Sequence, residues 1–359
     1  MQNEYKYSIG LMSGTSLDGL DLVYVKFHYL NYTDFKILHA TTKSYSEYWQ
    51  NALSNAIHWS QKDIDQLDID YGEFLGNQVN TFIEEFNITE IDFIASHGHT
   101  IFHEPDKGIT LQIGDGQTIA NITNHKVICD FRTQDVEFGG QGAPLVPVGD
   151  QLLFGHYNSC INLGGFANIS YQENNKRIAF DICPVNIVLN HYTRKIGYDF
   201  DESGTIAKTG DINQELLTAL NSLSFYDKKP PKSLGLEWVT TQVFPLINNL
   251  ETAIPTILRT FVRHSAIQIG KTIKGKEPVL VTGGGVYNSF LMEEIENEAG
   301  FKIAKQSNKL VEFKEALIFA FLGLLRNNGQ INCLHSVTGA SKDHSSGKMY
   351  TPKKDIKES

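Results

Sequence analysis

Residues 9–27 read IGLMSGTSLDGLDLVYVKF, and the rest of the chain is best read outward from them. An apolar run, Ile9 to Met12, enters a turn of Ser13, Gly14, Thr15, Ser16, Leu17, Asp18 and Gly19, and a second apolar run, Leu22 to Phe27, leaves it. Strand, small-residue turn and strand make a hairpin. Its tip offers bare backbone N–H groups and three hydroxyls. Glycine lets a ligand come close, and adjacent amides form a nest for an anion such as phosphate. The plainer alternative is an ordinary hairpin turn, since one short glycine motif has little specificity. Recurrence shifts the balance.

The theme returns where Cys160 to Leu163 lead into Gly164-Gly165-Phe166-Ala167-Asn168 and Ile169 to Tyr171 lead out. A third strand, Arg177 to Phe180, ends at Asp181. A third glycine loop, Thr282 to Gly285, follows the strand Pro278 to Val281 and precedes a helix, a junction that admits a base or phosphate against bare backbone. Three such loops spread over both halves point to a nucleotide. Two halves that each open with strand, glycine turn and strand imply a duplicated architecture with a ligand cleft between.

Further strands are expected near 6–12, 22–29, 36–42, 91–96, 109–113, 126–131 and 278–282. Helices are expected at 46–58, 64–86, 184–196, 211–223, 251–273, 286–299 and 313–327. Short-turned strands, then helices, then strands again fit a mixed α/β sheet. The Gly-rich break Phe138 to Pro144 places a domain boundary near 130. The N-terminal lobe is then 1–130 plus about 336–359, and the C-terminal lobe 131–335. Ser341 to Ser359 reads as a polar tail, loosely held at its end.

A net charge of −10 with scattered Lys and Arg argues against nucleic acid or an anionic membrane as partner. Any anionic ligand is then held by local amides and a few chosen side chains. The four cysteines form no C-x-x-C pair, which fits reduced, buried thiols and a cytoplasmic protein. The N-terminus shows no secretory signal, and the longest apolar run, Ala316 to Leu325, is half of what a membrane crossing needs.

Taken together, GLMSGTSLDGLD, SHGHTIFHEP, TLQIGDGQTIA, CDFRTQDVEFGGQGAPLVP, INLGGFANIS, VTGGGVYN, EALIFAFL and SVTGAS resemble the anhydro-N-acetylmuramic acid kinase family, collinearly from Gly10 to about Ser341. The resemblance implies a two-domain actin-like (ribonuclease H-like) fold with mixed five-stranded sheets and an interdomain ATP cleft. It also implies ATP and Mg2+ as cofactors and conversion of 1,6-anhydro-N-acetylmuramic acid into N-acetylmuramic acid 6-phosphate, a cell-wall recycling step. In such a reaction a carboxylate takes a proton from water attacking the anomeric carbon, and the departing oxygen meets the γ-phosphorus.

By the same resemblance Asp181 is the base, with the family's Asp-Thr-Gly-Pro-Gly-Asn run appearing as Asp181-Ile182-Cys183-Pro184-Val185-Asn186. Its alternative role is to cap a helix starting near Pro184. Phosphate contacts fall on Gly14, Thr15, Ser16, Leu17, Asp18, Gly19, Leu20 and Asp21, and on Gly164 and Gly165. Asp18 would meet magnesium through water, or else simply stabilise its turn. Gly283, Gly284 and Asn288 flank the adenosine. His97, Thr100, Gln112, Asp115, Asp130, Arg132 and Gln141 contact the sugar, with the Arg132 fork suited to the lactyl carboxylate unless it serves a plain ion pair. Glu315, at the start of the last long helix, positions substrate or helps the base; its alternative is charge compensation at the helix terminus. Two departures stand out: a family arginine is Leu236 in Pro230 to Glu237, and the family's His-Gly-Gln-Thr is His97-Gly98-His99-Thr100.

Three other readings compete. His97, His99, His103 and Glu104 invite a metal hydrolase. The altered segments invite an ATP-binding sensor without turnover. A kinase for another sugar is the third. A homodimer is the commonest state for such enzymes, with the helices near 251–273 and 313–327 as candidate contact faces.

Overall fold

The computed structural model describes residues 4–353 apart from Thr15, Ser16 and Asp18, so the phosphate and magnesium expectations on those three lie outside the described residues. Among the described residues twelve strands run in chain order: β1 (Tyr5–Ser13), β2 (Leu20–His28), β3 (Phe35–Lys43), β4 (Phe93–Ser96), β5 (His99–Glu104), β6 (Ile109–Ile113), β7 (Val127–Cys129), β8 (Ser159–Leu163), β9 (Phe166–Glu173), β10 (Lys176–Pro184), β11 (Val279–Thr282) and β12 (Lys348–Tyr350). Contacts divide the chain into one unit of Met1–Leu153 with Phe313–Ser359, and another of Phe154–Glu312. Residues 131–153 and 313–335, expected in the second lobe, thus group with the first.

In the first unit the sheet order is β12-β7-β4-β1-β2-β3. β1, β2 and β3 form an antiparallel meander, while β4 lies parallel to β1 and β7 parallel to β4. The helix Gln61–Glu85 covers this sheet with the stripe Ile64, Leu67, Tyr71, Leu75, Val79 and Phe82, whose three- and four-residue spacing puts them on one side. Ser60 starts it by accepting the Asp63 N–H. The run Ala316 to Leu325 belongs to the helix Asn308–Asn327 and is buried. A helix apolar all round belongs in a core. It seats directly on β1 because Gly10 has no side chain; a Cβ there would lie 2.3 Å from the Ala316 carbonyl oxygen.

The second unit repeats the plan. β8, β9 and β10 form an antiparallel meander and β11 pairs parallel with β8, giving the order β10-β9-β8-β11. Its core gathers around the helix Ile254–Ile273, which buries Ile257, Leu258, Phe261, Val262, Ala266, Ile269 and Ile273. The shared order, a meander flanked by a parallel strand on the side of its first member, is that of a duplicated ribonuclease H-like, actin-like α/β fold.

Among the described residues the two main sheets have six and four strands rather than five each, with β5 and β6 forming a separate pair. β12 adds an edge to the first, so Lys348–Tyr350 of the expected loose tail is paired with β7. In the second, 301–307 forms no strand; the Ile303 N–H donates to the Glu296 carboxylate at 3.0 Å instead of to a neighbouring strand. No helix among the described residues is long and apolar enough to cross a membrane.

Candidate functional site

The first unit brings Arg132, His97, Thr100, Gln112 and Glu315 into play around β4, β5 and β6. Arg132 follows β7 and is half-buried. Its Nε and one terminal nitrogen donate to His97 Nε2 at 3.2 and 2.8 Å, and its other terminal nitrogen donates to the Gly142 carbonyl at 2.7 Å. His97 Nδ1 donates to the Gly98 carbonyl at 2.9 Å, which fixes the tautomer and leaves Nε2 as acceptor. Burial, then the Arg132 charge, holds the His97 pKa well below its ordinary value, so the ring is neutral. His97 therefore orients Arg132, with both ring nitrogens spent inside the unit. Burial lowers the Arg132 pKa to about 10 while the Glu315 charge opposes it, so the guanidinium stays charged. Burial also raises the Glu315 pKa, against the attraction of Lys314 and Arg132. Glu315 lies two turns inside the helix Asn308–Asn327 rather than at its start, which removes the helix-terminus reading.

Thr100 and Gln112 face each other across β5 and β6. Gln112 Nε2 donates to the Thr110 and Thr100 hydroxyls at 2.9 and 3.4 Å. Its Oε1 is buried without a hydrogen-bond partner among the described residues. Such an orphaned acceptor costs free energy until a donor arrives, and a sugar hydroxyl or amide N–H is of the right type.

The other expected sugar contacts are engaged elsewhere. Asp115 caps the helix Gly116–Thr123, accepting from the Thr118 N–H and hydroxyl at 2.8 and 2.7 Å. Asp130 leaves its strand at φ +55° and pairs with Lys348 at 2.8 Å. The Gln141 side chain reaches Asp106 at 3.4 Å from an exposed loop. The histidines do not converge on a metal: His97 turns to Arg132, His99 to Ser13 and His103 to Thr110. Gly98, at φ +72°, separates the first two.

At the first glycine hairpin, Leu17 holds φ +57° while its side chain packs on the core. A left-handed leucine costs about 1–2 kcal/mol, strain of the kind that collects at ligand-binding turns. Gly19 is required by β3, since a Cβ would lie 2.9 Å from the Lys43 carbonyl oxygen. Leu20 is buried, and Asp21 accepts the Thr42 hydroxyl at 2.6 Å. From Ser13 at the end of β1 runs a chain of hydroxyls whose members are remote in sequence and carry no motif. Tyr71 donates to Tyr45 at 2.7 Å, Tyr45 to Ser13 at 2.7 Å and Ser13 to His99 Nδ1 at 2.9 Å, an order that satisfies every hydroxyl hydrogen. Burial lowers the His99 pKa to about 4, keeping the ring neutral.

In the second unit Asp181 lies inside β10, which continues to Pro184 rather than ending at Phe180. A register shift between Asp181 and Cys183 marks a bulge against β9, and bulges re-aim side chains beside active sites. The helix that follows begins at Asn186 with Val185 before it, so Asp181 is not its cap. Asp181 Oδ2 accepts the Leu234 N–H at 2.8 Å, and the Asp181 N–H donates to the Lys232 carbonyl at 3.1 Å. The segment carrying Leu236 is thus docked on Asp181 by its own backbone groups, one donor and one acceptor, which leave no mark in a sequence. Burial raises the Asp181 pKa, opposed by the Leu234 N–H.

The remaining glycines divide into two kinds. Gly283 has φ +87°, and a Cβ there would lie 2.8 Å from the Leu163 carbonyl oxygen, so the fold itself demands glycine. Gly164, Gly165 and Gly284 have no positive φ, and a Cβ would meet nothing closer than 3.6 Å at Gly164, 3.7 Å at Gly165, and nothing within 4 Å at Gly284. Among the described residues no neighbour explains those three; room for a ligand would. The Gly164 and Gly165 carbonyls accept the N–H groups of Val185, Asn186 and Ile187 at 2.8–3.3 Å, so the first amides of the next helix are already spent. Asn288 caps the helix Ser289–Ala299 through the Leu291 N–H at 3.0 Å.

A family model described as anhydro-N-acetylmuramic acid kinase matches residues 6–352. A protein of that name from Shewanella denitrificans is 33% identical over 369 residues, covering 97% of this chain and 99% of its own length. Another from Acinetobacter baylyi is 34% identical over 370 residues, covering 93% and 96%. Among solved structures, the activator of the 2-hydroxyisocaproyl-CoA dehydratase from Clostridium difficile with bound ADPNP aligns with 90% of this chain and 97% of its own at 13% identity and a TM-score of 0.46. The strand orders above, not this last likeness, carry the fold assignment.

Proposed function

The chain belongs to the anhydro-N-acetylmuramic acid kinase family, and on that premise we propose how its residues serve the family's reaction. Water opens the internal ether of 1,6-anhydro-N-acetylmuramic acid, and the freed sixth oxygen takes the γ-phosphoryl group of ATP. The products are N-acetylmuramic acid 6-phosphate and ADP. The observation that carries this reading is the family match across residues 6–352.

Asp181 takes the proton from the attacking water. One of its oxygens is tied to the Leu234 N–H, which leaves the other for the water, and its raised pKa makes it a better proton acceptor than an ordinary aspartate. Arg132, oriented by His97, receives the lactyl carboxylate with its two remaining N–H groups. Gln112 Oε1 accepts from the sugar. Glu315 balances Arg132 and completes the polar surroundings of the substrate. Gly164, Gly165 and Gly284 give the nucleotide its close approach, and the Gly14–Asp21 turn addresses phosphate.

Magnesium, which neutralises charge on phosphate oxygens, fits this chain only loosely. The Ser13 hydroxyl and the Asp21 carboxylate both have partners inside their own unit. The ion would thus be carried mainly by phosphates and water, as magnesium prefers. The protein acts in the cytoplasm, reusing cell-wall fragments, and as a homodimer, the commonest symmetric state.

The test is ADP release with the anhydro sugar beside N-acetylmuramic acid and N-acetylglucosamine. Turnover confined to the anhydro sugar is expected. Equal turnover with all three, or none with any, refutes the assignment.

A further inference from the structure

A buried cluster outside this machinery joins three distant parts of the first unit. Asp135 is fully buried in the helix Thr133–Glu137. Its Oδ2 accepts the Gly142 N–H at 2.7 Å, and its Oδ1 accepts the Thr338 hydroxyl at 2.8 Å and the Cys333 thiol at 3.0 Å. Cys333 and His344 face each other in an isolated antiparallel bridge, exchanging N–H to carbonyl bonds at 3.1 and 3.2 Å. Residues opposed in this way project their side chains to the same side, and both side chains meet Asp135.

The imidazole supplies an independent observation. His344 Nδ1 lies 3.1 Å from the Lys342 carbonyl oxygen, which can only accept, so Nδ1 carries a hydrogen. Nε2 is buried without a hydrogen-bond partner among the described residues and lies 3.5 Å from Asp135 Oδ1. The Nε2 edge of the ring is thereby aimed at a carboxylate oxygen with no hydrogen bond between them. Two acceptors so placed repel unless a cation sits between them.

We propose that Asp135, Cys333 and His344 form a binding site for a divalent cation of the zinc class. One oxygen, one sulfur and one nitrogen ligand suit that borderline-soft ion. Their ligand atoms lie within 4.8 Å of one another. A tetrahedral shell with bonds of about 2.0–2.3 Å sets such atoms roughly 3.3–3.8 Å apart; the His344–Asp135 pair at 3.5 Å already has that spacing and the Cys333–Asp135 pair at 3.0 Å need only open slightly, so small shifts complete three of four positions. The outer contacts are in place: the Lys342 carbonyl fixes the imidazole tautomer, and Gly142 and Thr338 hold the carboxylate. On binding, the Cys333 S–H bond breaks, its proton leaves to solvent and a sulfur–metal bond forms, with no change of oxidation state. The ion pins the bridge to Asp135, and through Gly142 it stiffens the loop that carries Gln141.

Cobalt(II) titration of the chelator-treated full-length protein tests this. One equivalent should bind with a thiolate-to-cobalt absorption band, and added zinc should raise the unfolding temperature. Cys333→Ser, which keeps a hydroxyl donor for Asp135, should abolish the band. It and His344→Gln should each weaken zinc binding by at least roughly tenfold. If folded wild-type protein shows neither the band nor a zinc-dependent shift, a proton on His344 is the cation and the proposal fails. Binding unchanged in Cys333→Ser overturns it equally.

Discussion

Alanine at two neighbouring glycine loops should have opposite consequences. Gly165→Ala places its methyl 3.7 Å from the nearest atom, Ile187 Cβ, and at a φ open to any residue. The variant loses backbone freedom in the unfolded chain and gains about 0.4–1 kcal/mol of stability. Gly283→Ala forces a side chain into φ +87° and to 2.8 Å from the Leu163 carbonyl oxygen, a backbone atom that cannot step aside. The left-handed conformation costs about 1–2 kcal/mol, and the overlap about 1–3 kcal/mol more. A total of roughly 2–5 kcal/mol in a unit of this size lowers the melting temperature by roughly 4–20 °C. Thermal unfolding followed by fluorescence, with calorimetric titration of a non-hydrolysable ATP analogue, separates the two effects. Gly165→Ala should melt at or above wild type yet bind the analogue at least about tenfold more weakly, because its methyl occupies the ligand's space. If Gly165→Ala melts normally and binds normally, that turn is not a nucleotide cradle. If it melts as low as Gly283→Ala, the division of the glycines into two kinds is wrong.

Three further outcomes follow from the side chains. Asp181→Asn keeps an acceptor for the Leu234 N–H and should reduce kcat by about 10²–10⁴-fold with ATP-analogue affinity unchanged; in the wild type, the acid limb of the kcat/KM profile should lie above the ordinary aspartate range. Full activity of the variant rejects the base. Arg132→Lys loses the fork held by His97 and Gly142 and should raise KM for the sugar about 10–100-fold without moving KM for ATP; equal changes in both constants contradict a sugar-specific role. Burial, aided by the charges of Asp115, Asp65 and Asp130 and opposed by the Gly114 N–H, raises the Asp68 pKa to about 6. The folded protein then holds a proton that the unfolded chain has released, so this contribution to stability is lost as pH rises from about 4 through 6. Asp68→Asn should escape that loss, exceeding wild type at pH 8 by about 1–2 kcal/mol, allowing for solvent screening, and matching it near pH 4 in urea unfolding. An equal difference at both pH values excludes the linkage.

The sequence makes both glycine hairpins legible because each lies between runs whose pattern is local, and the helix Gln61–Glu85 is legible from its stripe. The extension of β10 through Asp181 is not, since Cys183 and Pro184 stay in the strand only by pairing with β9 beyond the bulge at Ile182. Polar residues expected to face ligand, such as Asp115 and Asn288, serve as helix caps; the residue type suits both tasks, and only the N–H groups of Thr118 and Leu291 decide. The Leu234 donor and the Asp135, Cys333 and His344 cluster escape any motif, the first because a backbone amide has no letter, the second because it joins residues remote in the chain.

The hydroxyl relay through Ser13 bears on what residue 99 has to be. All its hydrogens point one way, from Tyr71 through Tyr45 and Ser13, so the last member needs only to offer a lone pair. A glutamine carbonyl oxygen would end the line as well as the imidazole does. Where the resemblance sets a glutamine, the histidine of this chain is then a synonym, and His99→Gln should leave the hydroxyl relay intact.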